Sequence, residues 1–295
     1  MARPKLDLVY NSHSGSFRED RLLALVMAFE REGFAVNALA TRADGAQLSG
    51  AADLVCVHGG DGTLRDAVQA MVEMSIDVPV CIARSGTINL VARELGYPAE
   101  PDALARQVAA GWARGPGEWV ASPLYTLGEL PIASCLSIGP DSHAVARVSG
   151  PMKRRIGRYA YALAMLQQMR EWPRNPMAVR GELADGSAFE TEAEAVIVSH
   201  GALYAGPFRL SPRAALAADS VELITLRRAT RFGMAAFTLA AMLRLPVDRF
   251  GFAEIRSCRR ITFDRCVTPV QVDGDHMPDC AFAIAPSGKT LRYIV

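Results

Sequence analysis

The sequence predicts an α/β half built on a parallel sheet, followed by a β-rich half that reads as an antiparallel sandwich. Three observations predict it. Up to about Ala121, short apolar runs alternate with helical periodicities. From about Ser122 onward, β-type runs dominate, separated by Gly, Pro, Asp and Ser. Between a strand and a helix of the first half lies Gly59-Gly60-Asp61-Gly62-Thr63, a turn that brings backbone amides to one place. The expected domains are residues 1–121 and 122–280.

In the first half, residues 6–10 form a strand, 18–32 a helix stopped by Gly33, and 34–40 a second strand. Leu22, Val26 and Phe29, with Leu23 and Met27 beside them, make that helix's core stripe. Residues 53–58 are an apolar β-type run, and Leu64, Ala67, Val68, Met71 and Val72 then follow the spacing of a buried helical stripe. A strand over 78–82 and helices near 90–95 and 102–111 complete the alternation. The second half carries strands at 179–183, 195–198, 221–226, 261–263 and 270–272, interrupted by helices at about 152–172 and 231–243.

The glycine loop reads as a phosphate cradle. Free N–H groups and the positive end of the helix dipole converge where an anion can sit. Asp61 inside such a turn is electrostatically odd unless a metal, a water network or a proton transfer uses it. The bland alternative is a tight strand-to-helix turn. Two other phosphate motifs fail. Pro286-Ser287-Gly288-Lys289-Thr290 imitates the end of a P-loop, but Ala283 stands where its first glycine is needed, and 291–295 looks like a terminal strand. A dinucleotide fingerprint needs glycine where Arg65 stands.

Composition bounds the rest. The chain has 295 residues, half of them apolar, and a net charge of +1 with both signs interspersed, so no global field recruits nucleic acid. Cys56, Cys81, Cys135, Cys258, Cys266 and Cys280 form no close pair and read as reduced thiols of a cytoplasmic protein. The N-terminus meets Asp7 too early for a signal peptide. The longest apolar stretch, 232–243, is far short of the ~20 residues a spanning helix needs. His13, His58, His143, His200 and His276 lack metal-ligand spacing and read as local hydrogen-bonders.

Several motifs fall in one order. They are Asn11-Ser12-His13-Ser14-Gly15, the 59–63 loop, Gly86-Thr87-Ile88-Asn89 with its continuation to Gly96, Tyr204-Ala205-Gly206-Pro207-Phe208 with Ser211-Pro212-Arg213-Ala214, and Val272-Asp273-Gly274-Asp275. The series resembles the diacylglycerol kinase catalytic-domain family, lipid kinases within the NAD kinase-like superfamily. The resemblance implies a Rossmann-like α/β nucleotide-binding domain, to which about 281–295 return, and a β-sandwich domain for the lipid. It also implies transfer of the γ-phosphoryl of ATP to a lipid hydroxyl, with Mg²⁺. Carried over by motif, ATP contacts fall on Asn11, Ser12, Ser14, Gly15 and Thr41, on Gly59, Gly60, Asp61, Gly62, Thr63, Leu64 and Arg65, and on Gly86, Thr87 and Asn89. The metal stretch falls on Asp219, with backbone carbonyls of Leu216 and Val221.

The sequence departs from the family's pattern. Ala218-Asp219-Ser220 replaces Asp-Asp-Gly, Ser12 and Arg84 replace prolines, Leu90 replaces an acid, and Asp275 replaces glutamate. By the resemblance, Asp275 is the proton acceptor with Asp273 beside it. Asp61 cannot bind a phosphate directly, so it orders waters around Mg²⁺ or orients the acceptor hydroxyl, the bland alternative being a structural turn acid. Without the resemblance, Asp273-Gly274-Asp275 reads as a hairpin turn. Lys153, Arg154, Arg155 and Arg158 are a solvated face or a peripheral contact with the inner membrane face. An exposed sheet edge or the 232–243 helix can support a homodimer. The rival readings are a non-catalytic lipid- or nucleotide-binding protein and an NAD kinase, whose Gly-Ser-Thr-Ala-Tyr type segment is absent from the sequence.

Overall fold

The computed structural model of the chain describes residues 2–14, 17–85, 88–146, 174–249, 251, 253–267, 269–277 and 281–295. The chain divides into two units, Met1–Ser122 with Thr290–Val295, and Pro123–Lys289.

In the first unit, β1 (Lys5–Tyr10), β2 (Ala35–Ala40), β3 (Leu54–Gly59) and β4 (Val80–Arg84) pair in parallel in the order β2-β1-β3-β4. Every residue of β3 is buried, which is why Leu54-Val55-Cys56-Val57 is continuously apolar and not alternating. Helices α1 (Glu19–Arg31), α2 (Asp61–Glu73), α3 (Leu90–Glu94) and α4 (Pro101–Arg114) follow the strands. Helix α1 buries Leu22, Leu25, Ala28 and Phe29, whereas Leu23 and Met27 are 57% and 59% exposed. The buried stripe is therefore rotated from the expected one by about one residue, because Leu25 and Ala28 share the inner face with Leu22 and Phe29.

Helix α4 starts cleanly. The Glu100 side chain accepts from the amides of Asp102 and Ala103 at 2.9 and 2.6 Å, and Pro101 takes the first helical position. The end of the chain packs against it. A Cβ at Gly111 would stand 2.6 Å from Ile294 Cγ2, the Tyr97 hydroxyl donates to the Ile294 carbonyl at 2.5 Å, and the Ile294 amide donates to the Val80 carbonyl at 3.1 Å. The segment 290–295 thus completes the first unit, whereas the preceding residues of the same strand pair with the second, as Ile284 does with Ile261.

The second unit contains the strands β5 (Val120–Leu127, which begins in the first unit), β6 (Leu130–Ile132), β7 (Cys135–Ile138), β8 (Met177–Leu183), β9 (Ala188–Ala193), β10 (Ala195–Ser199), β11 (Val221–Leu226), β12 (Glu254–Val267), β13 (Val270–Val272), β14 (Asp275–Met277) and β15 (Ala281–Tyr293). They run β14-β13-β7-β10-β11-β12-β15, with β8 and β9 joined on β12 and β5 and β6 joined on β15. Their registered pairs are antiparallel.

Strands β10 and β11 are buried on both faces. Val196, Val198, Val221 and Leu223 enter a core shared with Tyr125, Leu136, Val179, Ile261 and Ile284. Ala195, Ile197, Ile224 and Leu226 point the other way, into a second cluster under α6 (Arg231–Met242). The alternation is the two-residue period of a strand. A short helix, α5 (Pro140–Ala146), follows β7.

The strand expected at 261–263 is part of the 14-residue β12. Pro286 to Thr290 lie inside β15, where Gly288 has φ +78°, so the P-loop look-alike is a strand irregularity. The helix expected at 152–172, with its basic cluster, lies outside the described residues. Cys56, Cys81, Cys135 and Cys258 are buried and in no disulfide.

Candidate functional site

Parallel strands deliver their following loops to one edge, and β1 is the place where chain order reverses. β2 lies on one side of it and β3 on the other, so the loops after β1 and β3 flank the crevice where an open α/β sheet takes a ligand. The first-unit residues expected to contact nucleotide stand at this edge. Asn11 follows β1, and its side-chain oxygen accepts from the His13 amide at 2.9 Å while its carbonyl accepts from Ser14 at 3.2 Å. Ser12 is exposed and Ser14 half-buried in the same turn. Thr41 follows β2 and donates its amide to the Tyr10 carbonyl at 2.8 Å. Gly59 ends β3, and Asn89 opens α3 beyond β4. Gly15, Gly86 and Thr87 lie outside the described residues.

The glycine loop is built by close approach. A Cβ at Gly59 would stand 2.4 Å from Thr63 Cβ, so no larger residue fits while Thr63 packs there. Gly60 caps α2 in extended conformation without a side-chain partner, leaving the amides of the first turn directed along the helix axis. Leu64 and Arg65 are buried behind the loop, Leu64 donating its amide to the Gly60 carbonyl at 3.0 Å and Arg65 pairing with Asp66 at 3.1 Å.

Asp61 binds a neighbouring helix. Its two carboxylate oxygens accept from the amides of Leu90 and Val91 at 2.9 and 3.1 Å, capping the first turn of α3 across 29 and 30 residues of sequence. Burial raises its pKa and those two amides lower it. Asn89, the residue before that turn, is buried with φ +52°. Asp61 therefore fixes the loop after β4 relative to the glycine loop. Sequence reasoning missed Arg21, whose guanidinium donates to the carbonyls of Arg84 and Ala99 at 3.1 and 2.5 Å and holds the end of β4.

In the second unit, Asp273 and Gly274 are the two-residue turn of the β13–β14 hairpin, with φ +52° and +86° and Val272 opposite Asp275. The Asp273 carboxylate accepts from the amides of Ala133, Ser134 and Cys135 at 3.0, 2.7 and 3.1 Å (Cys135 and Ser134 sharing one oxygen). This is a structural tie between the hairpin and the start of β7. Asp275, half-buried, is the first residue past the turn.

Asp219, expected at a Mg²⁺ site, has a side chain 80% exposed and 3.8 Å from the Arg259 guanidinium. Its backbone carbonyl accepts from the Tyr125 hydroxyl at 2.8 Å; burial and the nearby Asp219 push that phenol up to about 12. Leu216 is buried, and Val221 opens β11 opposite Cys258. Among the described residues, no group of three or more His, Cys, Asp and Glu could hold a metal. An ion held by Asp219 and the Leu216 and Val221 carbonyls would take the rest of its shell from water and phosphate oxygens.

The Ser211-Pro212-Arg213-Ala214 stretch serves a buried acid. Glu222 on β11 accepts from Ser211 Oγ at 2.7 Å, from Arg213 Nη2 at 3.2 Å and from Ser257 Oγ. The sequence signal was an acid inside the apolar run 221–226. His200, buried at the end of β10, sits 5.5 Å from the Tyr125 ring, and burial lowers its pKa to about 4.

Residues 5–115 match the family model described as diacylglycerol kinase catalytic domain. A protein of Pseudomonas fluorescens named "Probable lipid kinase YegS-like" is 28% identical over 228 residues, covering 73% of this chain and 70% of that one. The diacylglycerol kinase of Bacillus subtilis is 24% identical over 249 residues, covering 81% and 78%. In fold, the chain is similar to a crystal structure of a diacylglycerol kinase from Bacillus anthracis, with TM-score 0.68, 19% identity and coverage of 100% and 98%. It is more distantly similar to an NAD kinase from Archaeoglobus fulgidus solved with ATP, with TM-score 0.52, 13% identity and coverage of 99% and 93%. The match of residues 5–115, with the motifs gathered at the edge of the parallel sheet, makes this part of the chain similar to the diacylglycerol kinase catalytic domain.

Proposed function

We propose that the protein transfers the γ-phosphoryl group of ATP to a hydroxyl of a diacylglycerol-like or sphingoid lipid. The observation that carries the donor half is the crevice between β1 and β3, where the amides of the uncapped first turn of α2 stand beside the Asn11 turn. Phosphoryl transfer asks for charge neutralisation and alignment more than covalent help. Main-chain donors at Gly60, Gly62 and Thr63 would supply part of the first, and Asp61 the second, by locking the two phosphate-facing loops together. Mg²⁺ enters with the nucleotide as part of the MgATP substrate and neutralises charge on the transferred group.

On the acceptor side we assign proton acceptance to Asp275, with Asp273 holding the hairpin that carries it. A general base of this kind is worth about 10²–10⁴ in rate. The reading is tested by incubating the protein with labelled ATP, Mg²⁺ and a panel of lipid extracts. Labelled lipid supports it. Labelled NAD would reassign the chain to NAD phosphorylation. Nucleotide binding without turnover would favour the second reading, a non-catalytic lipid- or nucleotide-binding protein, which the exposed, Arg259-paired Asp219 favours.

A further inference from the structure

Helix α6 is apolar on two sides. Met234, Phe237, Ala240 and Ala241 pack into the second core cluster of their unit and fix the helix from within. On the outer side Phe232, Leu239, Met242 and Leu243 are 78%, 56%, 58% and 61% exposed, and Leu245 just beyond is 41% exposed. With the exposed Ala235, positions 232, 235, 239, 242 and 243 follow the three- and four-residue spacing of one helical stripe. A helix apolar all round is normally buried, so this one is made to be covered.

The surroundings of the stripe say by what. Exposed Arg228 and Arg231 stand at the start of α6, and exposed Arg244 and Arg249 follow its end, while the helix itself contains no acid and Asp248 is the one acid between 228 and 249. A second copy of the chain seated on the stripe would bring arginines against arginines in either orientation, since both ends are basic. An anionic bilayer satisfies both features at once: the stripe enters the boundary of the acyl chains and the guanidiniums reach headgroup phosphates.

We propose that α6 is an interfacial docking helix that seats the second unit on an anionic phospholipid surface with its axis in the membrane plane. Choosing a bilayer over an acidic protein rests on the lipid-kinase reading.

The test is co-sedimentation of the full chain with vesicles of phosphatidylglycerol and phosphatidylcholine in equal parts, and with phosphatidylcholine alone, without nucleotide or substrate lipid. The expected result is preference for the anionic vesicles. Phe232→Asp with Leu243→Asp should lower that partition about tenfold or more, because each places a charge where an apolar side chain was inserted. Arg228→Gln and Arg244→Gln should each lower it about fivefold, on anionic vesicles only. These positions are exposed, so an unchanged thermal melt checks folding of the variants. Absence of binding by the parent chain, or equal partition of the Phe232→Asp and Leu243→Asp variant, overturns the proposal. Conversion of a dimer to a monomer by that variant, with partition unchanged, also overturns it and gives the stripe to a second copy. Phosphorylation of detergent-dispersed lipid is measured separately; its failure counts against the assigned reaction and leaves the docking result standing.

Discussion

The Asp273 carboxylate holds the Ser134 amide at 2.7 Å, and this bond, with those to Ala133 and Cys135, separates two acids that stand two residues apart in sequence. Asp273 is committed to the backbone of its own unit, whereas Asp275 opens the next strand half-buried.

Asp273→Asn should therefore behave as a stability variant. The carboxamide turns an N–H₂ towards amide donors, which costs about 3 kcal/mol and lowers the melting temperature by about 6–12 °C. Asp275→Asn should lose about 10²–10⁴ in lipid phosphorylation at unchanged ATP affinity. Calorimetry and a turnover assay on both variants check this; an unaffected rate for Asp275→Asn removes that residue from the reaction.

Gly59→Ala should disable the glycine loop. The new Cβ meets the side chain of Thr63 at 2.4 Å, and Thr63 is buried in the first turn of α2, so the loop must shift. The overpacking costs about 1–3 kcal/mol, and a displacement near 1 Å costs about 10² in rate. A thermal melt reads the first loss and the kinase assay the second.

Asp61→Asn should loosen α3 without unfolding the unit. One of its two accepted amides, Leu90 or Val91, loses its partner and the charge is gone. Losing one charge-assisted bond of about 1.5–3 kcal/mol predicts a weakening of ATP binding of about tenfold or more. Hydrogen exchange at the Leu90 and Val91 amides should quicken in parallel; unchanged protection there would break the argument.

His200 should give the protein an acid-sensitive arm. Burial holds the folded imidazole at about 4, below the 6.5 of a free one, so between those values the unfolded chain binds a proton that the folded chain refuses. The stabilisation is fully present above pH 6.5 and is lost as pH falls towards 4, by roughly 3 kcal/mol in total. Urea melts across this range should show the slope, and His200→Gln should flatten it.

Much of this was legible before any coordinates. The β1-to-α4 alternation could be read because each element shows its own period, and Asp273-Gly274 because only a tight hairpin asks for that pair. Other features were hidden for physical reasons. Strands β5 and β7 carry Ser, Pro and Thr among their apolar residues and show no clean alternation, since both of their faces are largely covered. The α1 stripe was displaced because Leu22, Leu23, Leu25, Val26 and Met27 offer two overlapping apolar faces, and only packing chooses one. Asp61 was legible as a loop acid, yet its partners lie 29 and 30 residues away, a distance that local pattern does not encode.

The tail that threads past Gly111 and Tyr97 has a practical corollary for anyone dissecting the chain. Cutting after position 122 would strip the strand lying beside β4 and open a hydrophobic seam along the sheet. The segment 5–115 that matches the family model accordingly lacks the last strand of its unit. Its completion requires a loop closure of well over a hundred residues, a slow search of the high-contact-order kind, and excised fragments should aggregate unless residues 290–295 are grafted back on.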